Sequence, residues 1–100
     1  MGWATTYIDK LKNGQTVQFR PHGGSMTGKI ESGQLCTVRP VADDEDIEPG
    51  DIVLCKVKYH YLHLVKAVQV GRYQIGNNKG HVNGWVGRNC IYGKLIKVET

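Results

Sequence analysis

Residues 61–70 read Tyr61-Leu62-His63-Leu64-Val65-Lys66-Ala67-Val68-Gln69-Val70, and the fold is decided here. Valine and aromatic side chains favour the pleated, half-buried surface of a sheet. A run of this composition closed by Gly71 reads as a long strand. The segments 34–39, 51–58, 72–75 and 90–98 are likewise rich in β-branched and aromatic residues and bounded by glycine or polar clusters. Segment 16–20 alternates apolar Val17 and Phe19 with polar neighbours, the period of a half-buried strand.

Before these strands, Tyr7, Ile8 and Leu11 stand at helical spacing. A short helix is expected over 4–12, with Thr5 or Thr6 as N-cap and Gly14 as stop. The whole chain, 1–100, is therefore expected to form one mainly β domain of about six or seven strands, a helical segment over 1–15 leading into a β core over 16–98. Thirteen glycines against three prolines suit many short strands and turns. The acidic run Asp43-Asp44-Glu45-Asp46, followed by Glu48-Pro49-Gly50, reads as a solvated turn between strands with no chemical role.

Composition narrows the function classes. With 40% hydrophobic and 22% charged residues the chain is ordinary for a globular domain. The net charge is +4, but Lys and Arg are spread from Lys10 to Lys97 without a dense block, which argues against a nucleic-acid partner. The absence of a long apolar run and of a basic-then-apolar leader argues against a membrane partner and predicts a cytoplasmic location. Cys36, Cys55 and Cys90 form no CxxC pair and read as reduced core thiols. His60 and His63 diverge on a strand, so neither a zinc site nor any cofactor is expected.

The chemistry concentrates in His22-Gly23-Gly24-Ser25-Met26. Two glycines before a serine let the main chain turn sharply and bring backbone N–H groups near the hydroxyl, the requirement of an oxyanion site. Met26 can pin such a turn by burying its side chain. The segment from Gly24 through Ile30, Gly33, Leu35 and Val38 resembles the nucleophile motif of LexA-like and type I signal peptidase serine peptidases. Pro49-Gly50-Asp51-Ile52-Val53 resembles their next signature, and Tyr61-Leu62-His63-Leu64-Val65 resembles the strand bearing the general base. Gly76-Asn77-Asn78 and Ile91-Tyr92-Gly93-Lys94-Leu95 resemble the later motifs in the same order, so the similarity spans roughly 17–98.

The departures are specific. Thr27-Gly28 replaces a residue followed by proline, Gln34 and Asn77 replace aspartates, and Leu64 replaces the arginine after the base. Asn83 lies near where the histidine branch carries another acid, which leaves no evident orienting carboxylate.

The resemblance implies a β-rich serine endopeptidase that takes an extended peptide or protein substrate, with Ser25 as nucleophile and Gly24 and Met26 at the oxyanion site. His63 is the favoured base because a neutral imidazole accepts a proton near pH 7 without desolvation. Lys66 is the alternative base. Being an odd number of residues apart, the two face opposite sides of a regular strand, so only one reaches Ser25 unless a bulge intervenes. His22 reads as an exposed loop residue, and 80–85 as a glycine-framed loop anchored by Trp85. The missing acids also admit a catalytically silent peptide- or protein-binding module of the same fold.

Overall fold

The structure, a computed structural model, describes residues 2–100. Among the described residues an α-helix α1, Thr5–Lys12, precedes strands β1, Val17–Phe19; β2, Leu35–Pro40; β3, Ile52–Val57; β4, Tyr59–Gln69; β5, Arg72–Gly76; β6, Val82–Gly87; and β7, Ile91–Glu99, with a short 3-10 turn, Arg88–Cys90, between the last two strands. All seven lie in one sheet of order β1-β2-β7-β3-β4-β5-β6. Every neighbouring pair is antiparallel. The fold is mainly β with one short N-terminal helix, as the residue pattern predicts.

Three local expectations need correction. First, α1 begins after Ala4, which makes no side-chain cap hydrogen bond, so neither Thr5 nor Thr6 caps it. Burial of Ala4, Ile8 and Leu11 against the sheet holds the helix instead. Gly14 does mark the stop, with φ +82° and its amide bonded to the Leu11 carbonyl at 3.0 Å. Second, the supposed loop at 80–85 contributes β6, whose Gly84 backbone, at φ +148°, pairs opposite Ile75. Glycines framing the segment signal a loop, but here glycine serves a distorted strand. Third, the acidic turn is pinned and not merely solvated. Glu45 pairs with Arg39, and the carbonyls of Ala42 and Glu45 accept hydrogen bonds from Arg88.

The sheet is buried on both faces, which explains why its central strands carry nearly unbroken apolar runs. On β3, Ile52 and Leu54 join one cluster while Val53 and Cys55 join another, following the two-residue alternation of strand side chains. The first cluster contains α1, Phe19, Met26, Val38 and Leu62; the second contains Ile47, Val65, Ile75 and Ile91. Cys36 and Cys55 are buried free thiols and Cys90 is half-buried. Burial pushes the Cys55 thiol up to about 12, with Cys90 adding to the rise, so Cys55 stays protonated.

Two chain irregularities then aim the site. Between Val65 and Ala67 the β4–β5 register shifts, leaving Lys66 as an extra residue. Between Ile75 and Gly76 the β5–β6 register shifts, leaving Asn83 as the extra residue on β6. No described helix is long and apolar enough to cross a membrane.

Candidate active site

Ser25 sits on an exposed turn between β1 and β2. Gly23 enters that turn at φ +119°, a region L side chains rarely adopt, and its amide donates to Ser32 Oγ at 3.0 Å. Immediately after Ser25, Met26 is 5% exposed and packs into the helix-side core. Its carbonyl accepts the Ile30 amide at 2.8 Å, closing one helical turn whose other apolar anchor is Ile30. The hydroxyl is thus held between a glycine hinge and two buried side chains. Among the described residues, no protein acceptor takes the amide N–H of Gly24, Ser25 or Met26.

A second loop braces the first. The Asn78 amide donates to the Ser25 carbonyl at 3.0 Å, and Asn78 Nδ2 donates to the Thr27 carbonyl at 2.8 Å. Asn77 shapes that bracing loop by accepting the amides of Lys79 and His81 on Oδ1, at 2.8 and 3.0 Å. The Gly76-Asn77-Asn78 segment therefore supports the serine turn through neutral amides. A carboxylate at 77 is not needed for this contact.

The structure brings Ser25 and His63 together across 38 positions of chain: Ser25 Oγ lies 3.2 Å from His63 Nε2. On the far side of the ring, His63 Nδ1 lies 2.8 Å from Asn83 Oδ1. With Oδ1 facing it, Nδ1 must carry the proton, which leaves the Nε2 lone pair to accept the serine proton. His63 is only 6% exposed, and its ring stacks on Tyr61 with centroids 4.6 Å apart. Burial lowers the imidazole pKa below its ordinary value; the Asn83 hydrogen bond opposes this, and nearby His81 adds to the lowering. The net effect favours the neutral imidazole.

Lys66 makes no hydrogen bond to Ser25 and does not line the cleft beside it. It occupies the β4 bulge, and its Cδ and Cε would lie 2.9 and 2.7 Å from a Cβ placed on Gly76, so its stem runs over that glycine. Among the described residues the only side chain hydrogen-bonded to Ser25 Oγ is that of His63. His22 is exposed, with its ring beside Gly33. His60 turns away from His63 toward Tyr92, ring centroids 6.3 Å apart. Trp85 is half-buried under Arg72, whose guanidinium carbon lies 5.4 Å from the ring centroid.

A cleft of about 430 Å³ opens beside Ser25 and His63. Part of its lining is a feature that reading the residues missed: Trp3, Tyr7 and Phe19 form an aromatic cluster there. No local motif links a residue before a helix, one within it and one on an edge strand. Only packing of α1 against β1 joins them. Comparison with known families, curated proteins and solved structures finds no match to this chain.

Proposed function

We propose that the protein is a serine hydrolase acting on extended peptides, with Ser25 as nucleophile and His63 as general base. The observation that carries this reading is the continuous relay from Ser25 Oγ through His63 to Asn83, at 3.2 and 2.8 Å. Such a chain is the nucleophile, base and orienting group of covalent catalysis, which is recognised by geometry and not by position in the sequence. The resemblance of the serine turn to LexA-like and signal peptidase segments supports the same assignment.

In the first half-reaction Ser25 Oγ bonds to the substrate carbonyl carbon while its proton passes to His63 Nε2. The unclaimed amides around Ser25 and Met26 are suited to hold the carbonyl oxygen as it becomes negative. The carbon–nitrogen bond then breaks, and the proton on Nε2 leaves with the amine. Water reverses the sequence: it gives a proton to His63, attacks the acyl carbon, and releases the acid as Ser25 recovers its proton. Asn83 fixes the tautomer throughout. Being neutral, it offers the transient imidazolium a dipole where a carboxylate would offer a full charge, and slow turnover is the expected consequence.

That neutral partner also favours a second reading, a peptide-binding module with a silent site. A fluorophosphonate probe separates the two. Under the hydrolase reading the wild type labels at Ser25, and both Ser25→Ala and His63→Ala abolish labelling. Wild-type protein that stays unlabelled from pH 6 to about 9 would leave the binding module as the function.

A further inference from the structure

We infer that the cleft selects a peptide residue with a large apolar side chain, aromatic or long aliphatic, next to the cleaved bond, and that Trp3, Tyr7 and Phe19 are its specificity wall. The inference rests on the hydrolase reading of Ser25 and adds a substrate class to it. Tyr7 and Phe19 stack with centroids 4.7 Å apart and planes at 29°, and Trp3 lies 5.5 Å from Phe19. These rings line the same cleft as Ser25 and His63, and buried Met26, Ile30 and Leu62 line it too. Trp3, which lines the cleft, remains 52% exposed, a large apolar side chain left open to solvent.

Charge and size both point to an apolar occupant. The charged residues along the cleft are engaged by loop backbone: Arg20 donates to the Gly33 carbonyl at 2.9 Å, and Glu31 accepts the Gly28 amide at 2.8 Å. The two carry opposite charges, so the cleft lining has no net charge to attract a charged side chain. A volume of about 430 Å³ lies within the range of roughly 300–1,000 Å³ typical of ligand pockets. A methyl group would leave most of that space to water. A phenyl or isobutyl group would displace it and cover the aromatic wall, which the hydrophobic effect favours in proportion to the area removed from water.

The test compares acetyl-Ala-Ala-Phe-aldehyde with acetyl-Ala-Ala-Ala-aldehyde as competitors of fluorophosphonate labelling. Each aldehyde adds Ser25 Oγ to its carbonyl carbon, the serine proton passing to the new hemiacetal oxygen. The phenylalanine compound is expected to protect at least about tenfold better, and Trp3→Ala to narrow the gap. Equal potency of the two in the wild type would overturn the inference while leaving the hydrolase reading intact.

If the wild type does not label at all, the hydrolase reading fails but the pocket can still be read. In Ser25→Ala with Trp85→Phe, Trp3 is the sole tryptophan, and its fluorescence reports on the cleft. Saturable change with acetyl-Ala-Ala-Phe-amide and none with the alanine analogue would uphold the apolar pocket. Identical responses to both peptides would refute it.

Discussion

Asn83 gives His63 an amide oxygen where many hydrolases place a carboxylate, and this one atom type sets the expected rate and pH behaviour. A hydrogen bond to a charged group contributes about 1.5–3 kcal/mol, against about 0.5–1.5 kcal/mol between neutral groups. Replacing the amide should therefore stabilise the imidazolium by about 1 kcal/mol. Asn83→Asp is expected to raise the fluorophosphonate labelling rate about fivefold and to shift its acid limb to higher pH. In the wild type that limb should lie below the ordinary histidine value of about 6.5, because burial disfavours the protonated ring. A labelling-rate profile from pH 4 to 9 checks both expectations. An Asn83→Asp profile superimposable on wild type would show that residue 83 does not act through the imidazole.

At the scale of elements, the site depends on strand irregularities. The extra residue on β6 is Asn83, and the glycine opposite that irregularity is Gly76. A Cβ on Gly76 would collide with the His81 carbonyl and with the Lys66 stem. Backbone cannot swing aside as a flexible side chain can, so the β5–β6 connection must shift. Gly76→Ala is expected to cost about 1–3 kcal/mol and to slow labelling of Ser25 by disturbing Asn83 and the bracing Asn78 together. Urea unfolding and labelling, measured on the same preparation, test the pair of effects. Loss of stability with unchanged labelling would show that the site does not depend on this junction. At the neighbouring β3–β4 turn, Lys58 adopts φ +65°, an uncommon conformation for a side-chain-bearing residue. Lys58→Gly is expected to be neutral or slightly stabilising there, by up to about 1 kcal/mol.

At the scale of the whole molecule, two apolar layers share one sheet, and β3 links them. Leu54 is 0% exposed and faces the helix-side layer. Leu54→Ala is expected to destabilise the fold by about 2–5 kcal/mol, since both transfer energy and a cavity contribute. For a domain of this size each kcal/mol lowers Tm by about 4–8 °C. Acid stability has a separate origin. The Arg39 guanidinium hydrogen-bonded to Glu45 lowers its carboxyl to about 2. Because the folded value lies below the ordinary carboxylate value of about 4.3, this pair stabilises fully above that pH and is lost as pH falls toward 2. His63, also lowered, adds stability above its ordinary value that is lost as pH falls through the folded one. Glu45→Gln should therefore flatten the fall in urea midpoint between about pH 4.5 and 2. An unchanged slope would place the acid sensitivity elsewhere.

The residues by themselves determined the mainly β fold, the N-terminal helix and six strand regions, because apolar periodicity and glycine punctuation are local signals. Ser25 and His63 were singled out by the resemblance of the diglycine turn and of the 61–65 strand to serine-peptidase motifs, since a histidine in an apolar strand is by itself an ordinary core residue. The choice between His63 and Lys66 was not local. In a regular strand parity lets only one of them reach the serine; the bulge at Lys66 lifts that constraint, and it is the assembled sheet that sets His63 Nε2 3.2 Å from Ser25 Oγ. The contact of Asn83 with His63 and the clustering of Trp3, Tyr7 and Phe19 likewise arise only in the tertiary structure. A bulge depends on how two strands pair, and a cleft depends on how helix and sheet pack. Neither interaction exists until distant parts of the chain meet.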